Sequence, residues 1–192
     1  MKQLAVFCAS SEGNNPRIRE AAEQLGRLLV SKEITLVYGG ASRGIMQIIA
    51  DEVLKNGGRV IGVIPRFLVD VEIAHQGLSE LIITESMHER KLKMFELSDA
   101  FAALPGGVGT LEELFEIATW AQLNLHKKPI AVLNTDSYYD YLFRQLDHMV
   151  SQGLLKSFMR DEIKVATEPE ELLRILESHE AGNVNFLQES LV

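Results

Sequence analysis

Three glycines and two adjacent glutamates lie in a nine-residue segment, PGGVGTLEE, that begins at Pro105. The apolar run 100–104 before it predicts a strand, and the pattern 111–125 after it predicts a helix. A glycine-rich strand-to-helix turn leaves backbone N–H groups free to point at one place, and the helix N-terminus adds partial positive charge there. Such a turn suits a phosphate or another anion. Because Glu112 and Glu113 follow at once, the segment predicts a phosphorylated substrate that reacts close to its phosphate.

A second cluster of chemically capable side chains, SMHERK, begins at Ser86. On the helix predicted there, Arg90 and Lys91 lie along the face that carries Met87 and Met94. A cation on an apolar face is costly unless an anion meets it, although packed stems with their heads in water are an alternative. A guanidinium near a helix start suits bidentate contact with a phosphate or a carboxylate. The cluster therefore predicts a cation that meets an anion.

Helix capping offers a structural alternative for some of the acidic residues. Ser86-x-x-Glu89 and Thr110-x-x-Glu113 both fit the capping box, in which the glutamate satisfies an N–H group at the helix start. We expect Glu89 to be structural, and for Glu113 the capping and catalytic interpretations both stay open. At about 100° per residue along a helix, Glu112 and Glu113 project in different directions and need not share a role.

A further glycine-rich turn, GGASRG, begins at Gly39, after the strand predicted over 35–38. Its backbone can approach a ligand closely, which makes Gly40 and Ser42 candidate binding residues. The alternative is a tight turn with Ser42 near the start of the next helix. Two such turns at one edge of a sheet favour a shared pocket.

Short apolar runs alternate with amphipathic patterns along the whole chain. Strands are predicted over 4–9, 35–38, 60–64, 81–84, 100–104, 130–133 and 163–166, and helices over 18–31, 45–56, 87–98, 111–125, 138–152 and 169–178. Near-continuous apolar strands are typical of parallel sheets that are covered on both faces. The pattern predicts a doubly wound, mostly parallel α/β sheet of the Rossmann-like type. We expect one nucleotide-binding domain over 1–178, a tail over 179–192, and a long loop over 65–80.

Several common chemistries lack their motifs. The turn after the first strand has no G-x-G-x-x-G, and the chain has no G-x-x-x-x-G-K-[ST], so neither the usual NAD mode nor a P-loop is predicted. Cys8 is expected to be an inert buried thiol on a core strand. The five histidines show no metal-ligand spacing, so we predict no metal site.

Composition limits the partners. The chain has 192 residues, one cysteine and a net charge of −8, which argue for a reducing compartment and against nucleic acid or an anionic membrane as partners. The apolar first strand is too short for a signal peptide, and a cytoplasmic protein is expected.

On the helix after the glycine turn, Ile117 and Trp120 lie off the main apolar face. A second subunit is therefore expected to cover them, as in a homodimer.

These motifs together resemble the Lonely Guy (LOG) family of cytokinin riboside 5′-monophosphate phosphoribohydrolases, which older descriptions label lysine decarboxylases. The family's P-G-G-x-G-T-x-x-E is matched from Pro105 to Glu113, and its M-H-x-R-K from Met87 to Lys91; the resemblance covers about residues 2–176. It implies hydrolysis of a nucleoside 5′-monophosphate to base and ribose 5-phosphate, without a cofactor, in a dimer with the pocket near its interface.

The resemblance also assigns individual residues. It implies that Arg90 and Glu113 are the catalytic pair. The substrate-binding positions that it implies are Glu72, Lys91, Gly106, Gly107, Val108, Gly109, Thr110, Leu111, Glu112 and Thr119.

Two other functions remain open from the sequence. One is a nucleotide-binding or molybdenum-cofactor carrier protein without turnover, and the presence of both Arg90 and Glu113 favours an enzyme over it. The other is a pyridoxal-phosphate decarboxylase, which needs a Schiff-base lysine with a pyridinium partner that the sequence does not clearly offer. A purine nucleotide, either AMP or an N6-prenylated analogue, is the expected substrate.

Overall fold

The structure is a computed structural model that describes residues 1–69 and 74–179. The strands are β1 (Gln3–Phe7), β2 (Thr35–Tyr38), β3 (Val60–Pro65), β4 (Glu80–Thr84), β5 (Ala100–Ala103), β6 (Ile130–Leu133) and β7 (Ile163–Ala166). The helices are α1 (Pro16–Ser31), α2 (Gly44–Lys55), α3 (Arg66–Val69), α4 (Met87–Leu97), α5 (Val108–Gln122), α6 (Asp140–Ser151), α7 (Ser157–Asp161) and α8 (Pro169–Glu177), with a 3₁₀ turn at Thr135–Ser137.

The seven strands form one parallel sheet in the order β4-β3-β2-β1-β5-β6-β7. Buried side chains of α1, α2 and α8 form the core on one face of the sheet, and those of α4, α5 and α6 form the core on the other. The predicted doubly wound α/β fold is therefore confirmed. The strand order reverses between β1 and β5, and ligands bind at such a switch point, beyond the carboxyl ends of the strands.

The predicted strands agree with the observed ones to within two residues, because parallel buried strands are continuous apolar runs. The first strand ends at Phe7, so Cys8 and Ala9 belong to the following loop rather than to the strand. The largest error in a helix start concerns α5, which begins at Val108 instead of residue 111. Glycine is an acceptable N-cap, but it has no side chain that would mark the position in the sequence. The sequence therefore did not indicate that the helix starts after Gly107. The short helices α3 and α7 were not predicted.

Two expectations fall partly or wholly outside the described residues. Glu72, a candidate substrate-binding residue, is one of them, and the tail over 179–192 is the other, apart from His179. No helix in the described ranges combines the length and the apolar character that crossing a membrane requires.

Candidate active site

A cleft of about 300 Å³ lies beyond the carboxyl ends of β1 and β5. The loop after β1 contributes Cys8, Ala9 and Ser10; the helices α2, α3 and α4 contribute Met46, Leu68, Met87 and Arg90; and the start of α5 contributes Gly107, Val108, Gly109, Thr110, Glu112 and Glu113. The cleft therefore occupies the switch point of the sheet. It also brings together the glycine-rich turn and the cation cluster that the sequence singled out separately.

The N-terminus of α5 presents backbone donors to this cleft. Gly107 is the N-cap, in extended conformation, and no side chain caps the helix. The first intrahelical bond is donated by the Leu111 N–H group to the Gly107 carbonyl, at 3.2 Å. Hence the N–H groups of Gly107, Val108, Gly109 and Thr110 have no acceptor within the helix, as is usual at a helix start. An anion is the ligand that such a group of donors accepts best.

The position of Gly107 excludes the capping interpretation of Glu113. A capping box would need Thr110 at the N-cap, but Thr110 is a buried residue within the helix. By contrast, Ser86 is confirmed as the N-cap of α4: its hydroxyl accepts the N–H of Glu89 at 3.1 Å, and the Glu89 carboxylate accepts the N–H of Glu85, one residue before the N-cap, at 2.7 Å. Glu89 therefore has a structural role at the start of α4, whereas Glu113 has no capping role at the start of α5.

Arg90 is fixed deep in the site by backbone carbonyls. Its side chain is only 8% exposed. Its Nε donates to the Val63 carbonyl at 3.1 Å and its Nη2 to the Gly39 carbonyl at 3.4 Å. A Cβ atom at Gly39 would lie 2.1 Å from Nη2, so this position must lack a side chain for the guanidinium to lie where it does. The turn at Gly39 thus serves to seat Arg90.

The same guanidinium faces the Glu113 carboxylate. Nη2 of Arg90 lies 3.8 Å from Oε1 of Glu113, whose side chain is 12% exposed. Both groups line the cleft next to the start of α5. Partial removal from water strengthens the electrostatic interaction of such a pair with each other and with a bound molecule. The pair therefore presents one fixed cation and one carboxylate to any ligand in the cleft.

Lys91 points to a different set of carboxylates. Its ammonium group contacts Glu112 and lies 3.0 Å from Oε1 of Glu116, while its side chain is almost fully buried. Burial opposes the charged form, but the hydrogen bonds with Glu112 and Glu116 outweigh it and raise the pKa of Lys91. Neither Lys91 nor Arg90 extends its head into water, so the snorkelling alternative is wrong. Glutamates of α5 supply the anions that these cations meet.

The structure brings some of the candidate residues to the cleft and leaves others away from it. Gly107 to Glu113 and Arg90 converge there, except that Leu111 packs into the core below α5. Lys91 reaches the cleft only through Glu112. Thr119 is exposed on a separate apolar groove and donates its hydroxyl to the Phe115 carbonyl at 2.7 Å.

The glycine-rich turn after β2 also lies partly away from the cleft. Neither Gly40 nor Ser42 is among its lining residues. The Gly40 carbonyl accepts the His75 N–H at 3.0 Å, which ties this turn to the loop before β4. Gly106 lies behind the cleft rather than in its lining, with its Cα against the Thr110 side chain.

The expectation that Ile117 needs a second subunit to cover it is wrong. Its side chain is 2% exposed within one chain, because α5 buries more of its surface in the core on that face of the sheet than a single stripe suggests. Trp120 is partly buried and packs edge-on against Phe95, with 5.2 Å between ring centroids.

Cys8 lines the cleft yet is buried, and its environment keeps it protonated. Burial, and to a lesser extent the nearby Glu113 carboxylate, raises the pKa of the Cys8 thiol well above its usual range. A thiol in that state is a poor nucleophile, in agreement with the inert role expected from the sequence. Over 1–69 and 74–179, no group of three or more His, Cys, Asp or Glu side chains is arranged to hold a metal ion.

Three features of the site were missed by the sequence analysis. They are the second carboxylate on Lys91, from Glu116; the seat for Arg90 at Gly39; and the hydrogen bonds that Tyr138 and Tyr139 make to the glycine-rich turn. The glycine pair at 39–40 was the only available signal for the second. The others depend on how helices pack against each other, which one sequence does not report.

The parallel sheet is doubly wound, and its cleft lies at the switch point with an uncapped helix start beside it. These features define a Rossmann-like protein. A protein-family model described as "Possible lysine decarboxylase" matches residues 46–176. The chain is 46% identical over 179 residues to the cytokinin riboside 5′-monophosphate phosphoribohydrolase LOG7 of Arabidopsis thaliana, covering 93% of this chain and 82% of that protein. It is 48% identical over 177 residues to LOGL1 of Oryza sativa subsp. japonica, which is named a probable cytokinin riboside 5′-monophosphate phosphoribohydrolase. That match covers 92% of this chain and 79% of that protein.

The chain therefore belongs to the LOG family, as its motifs indicated. Among solved structures, the molybdenum cofactor binding protein from Rippkaea orientalis is similar in fold, with a TM-score of 0.66 at 24% identity over 92% of this chain and 96% of that one. At that identity the similarity concerns the fold alone.

Proposed function

We propose that the protein hydrolyses the N-glycosidic bond of a purine nucleoside 5′-monophosphate, releasing the free base and ribose 5-phosphate. The observation that carries the proposal is that the Arg90–Glu113 pair and the uncapped start of α5 face the same cleft. The relatives named as phosphoribohydrolases, at 46% and 48% identity, support the reaction class.

In this proposal the start of α5 binds the 5′-phosphate. The N–H groups of Gly107, Gly109 and Thr110 donate to its oxygens, and the helix dipole contributes about half a positive charge. Glu113 lies five residues beyond Val108, so that it is about 7.5 Å further along the helix. That separation leaves room for a ribose ring between the bound phosphate and the carboxylate.

Glu113 acts on the sugar. Cleavage of an N-glycosidic bond builds positive charge on the ribose, as in other glycoside hydrolysis. A carboxylate beside the ring stabilises that charge or activates the attacking water. Because Arg90 is fixed by two backbone carbonyls, it holds the Glu113 carboxylate and the substrate in one orientation, and this preorganisation is the main expected contribution. The proposed chemistry calls on no metal ion or redox cofactor.

Lys91 supports this arrangement indirectly. With Lys91 bound to Glu112 and Glu116, the negative charge of those two carboxylates is partly compensated close to the phosphate site. In the proposal, Glu112 contacts the substrate from the wall of the cleft while Lys91 holds it in place.

Two alternatives have less support. A carrier protein of the same fold has no need for a carboxylate beside the sugar, whereas Glu113 lines the cleft. A pyridoxal-phosphate decarboxylase needs a lysine in the site, and the cleft lining contains no lysine within the described part of the chain. Lys91, which follows the cleft residue Arg90 in the sequence, is paired with Glu112 and Glu116.

The proposal includes a cytoplasmic homodimer. An apolar groove of about 330 Å³, lined in part by Phe115, Ala118, Met149 and Met159, lies beside Thr119. A second subunit at this groove would bring Thr119 into contact with another chain, and in the proposal Thr119 contributes to substrate binding across that interface. Sedimentation equilibrium at micromolar concentration is expected to give the mass of a dimer, and a pure monomer would contradict this part of the proposal.

The reaction itself is tested by incubating the purified protein with AMP, with N6-isopentenyl-AMP and with adenosine, followed by chromatography of the products. We expect free base and ribose 5-phosphate from the two nucleotides and no cleavage of adenosine. Comparable cleavage of AMP and adenosine would remove the role proposed for the start of α5. No cleavage of either nucleotide would contradict the proposal as a whole.

A further inference from the structure

Two consecutive tyrosines hold the glycine-rich turn from behind. The Tyr139 hydroxyl donates to the Leu104 carbonyl at 2.6 Å, and the Tyr138 hydroxyl donates to the Gly106 carbonyl at 2.7 Å. Their rings meet edge to face with 5.0 Å between centroids. Both come from the segment between β6 and α6, which is distant in sequence from the turn that they contact.

The orientation of the Gly106 carbonyl sets the orientation of the Gly107 N–H group, because both belong to the same peptide group. A trans peptide is planar, so the Gly106 carbonyl and the Gly107 N–H point in opposite directions. No cis peptide bond occurs in the described ranges. Whatever holds the carbonyl therefore also sets the direction of the N–H. Tyr138 lines a neighbouring pocket together with Gly106 and Gly107, and it is not part of the lining of the Arg90–Glu113 cleft.

The turn has little freedom on its other side. A Cβ atom at Gly106 would lie 2.1 Å from Oγ1 of Thr110, so the Gly106 backbone rests directly against the first turn of α5. The hydrogen bond from Tyr138 then fixes the remaining rotation of the Gly106–Gly107 peptide plane. Without that bond the plane of two successive glycines is the part of the turn that moves most readily.

The segment that carries the tyrosines is itself held in an unusual shape. Asp136 and Ser137 have φ values of 51° and 60°, in the left-handed region that non-glycine residues seldom adopt. The Asp136 carboxylate accepts hydrogen bonds from Asn15 at 2.8 Å and from Arg17 at 2.6 Å, which tie it to the start of α1. Two adjacent residues in this conformation change the direction of the chain. That change sets the direction of the side chains of Tyr138 and Tyr139, which follow.

We infer that Tyr138 is a positioning residue: by holding the Gly106 carbonyl, it turns the Gly107 N–H into the cleft as a donor to the substrate phosphate. This inference rests on the proposed function, because it concerns the phosphate site of that reaction. Tyr139 has a different part, since the peptide after Leu104 leads into Pro105 and carries no N–H. It fixes where the turn begins and not which way a donor points.

Tyr138→Phe tests the inference, because it removes the hydroxyl and keeps the ring. The binding of ribose 5-phosphate and of adenine to the full-length protein is measured by calorimetry, together with KM and kcat for AMP. An N–H donor that loses its fixed direction toward a charged acceptor should weaken binding about tenfold. We expect Kd for ribose 5-phosphate and KM for AMP to rise by about that factor, with Kd for adenine unchanged. Tyr141→Phe, at an exposed position on α6 (80% exposed), is the matched control and should behave as wild type.

Two results would overturn the inference while leaving the proposed function intact. One is an unchanged Kd for ribose 5-phosphate in Tyr138→Phe. The other is an equal loss of adenine affinity, which would mean that Tyr138 contacts the base or supports the cleft in general. If the wild-type protein neither binds ribose 5-phosphate nor cleaves AMP, the proposed function fails, and the inference fails with it.

Discussion

Nη2 of Arg90 lies 3.8 Å from Oε1 of Glu113, across the junction between α4 and α5. Arg90 is held by the carbonyls of Val63 and Gly39, which belong to or follow β3 and β2, and Glu113 extends from the helix after β5. The pair therefore depends on the relative placement of four segments of the chain, which are β3, the turn after β2, and the helices α4 and α5. Predictions about the site concern either this placement or the chemistry of the two groups.

The seat of Arg90 can be tested without changing Arg90. Gly39→Ala should displace the guanidinium, because the new Cβ atom would lie 2.1 Å from Nη2, and the flexible end of the arginine moves more easily than the backbone. We expect turnover of AMP to fall nearly as far as in Arg90→Ala, and circular dichroism checks that the variant stays folded.

The double variant Gly39→Ala/Arg90→Ala is the control for that experiment. If the glycine acts only through Arg90, the second substitution should add no further loss of turnover. Additive losses would show that Gly39 has a separate role, and full activity of Gly39→Ala would contradict the need for a fixed guanidinium.

Lys91 should contribute more to stability than Lys93, the other lysine of α4. Lys91→Met removes the cation that pairs with Glu116 and with the half-exposed Glu112. We therefore expect the free energy of unfolding to fall by about 1–3 kcal/mol. Lys93→Met is the matched control two residues further on, where an exposed ion pair with Glu96 contributes at most about 0.5 kcal/mol. Equal effects of the two substitutions in urea unfolding would mean that the Lys91 cluster contributes no more to stability than an exposed ion pair does.

His126 should make stability depend on pH. Burial, with Lys128 nearby, lowers the pKa of His126, while its Nε2 meets the Ile117 carbonyl at 2.9 Å and its Nδ1 accepts the Lys128 N–H at 3.1 Å. The unfolded chain, where histidine titrates near about 6.5, therefore binds a proton that the folded protein resists. The stability that His126 provides should be complete at pH 7.5 and decrease as the pH falls below about 6.5.

The measurement is urea unfolding of the wild type and of His126→Gln between pH 5 and pH 7.5. The difference in unfolding free energy between them should shrink as the pH falls. His148→Gln, at an exposed position on α6, controls for the loss of a histidine elsewhere. A difference that stays constant with pH would contradict the assignment to His126.

Much of the fold could be predicted from the sequence, because buried parallel strands are short continuous apolar runs. Among the strands in the described ranges, only β4 has mostly exposed residues. The start of α5 could not, since Gly107 caps the helix without a side chain that signals it. Only the family resemblance paired Arg90 with Glu113, and the structure places both side chains at one cleft. Which anion each cation meets could not be predicted: Lys91 pairs with glutamates of α5, a helix that begins 17 residues later in the chain (108 − 91). Such pairings depend on the packing of helices that are joined through the sheet.

The most direct test of the proposed chemistry is the rate at which Glu113→Gln releases adenine from AMP, compared with the wild type and with Glu89→Gln. Glutamine keeps the size of the side chain but can neither stabilise a ribosyl cation nor activate water as a carboxylate does. We expect turnover to fall by roughly 10²-fold or more in Glu113→Gln, with an unchanged melting temperature. Glu89→Gln, which alters only the hydrogen bonding at the start of α4, should keep nearly full activity. Near-normal turnover of Glu113→Gln would contradict the catalytic assignment of Glu113.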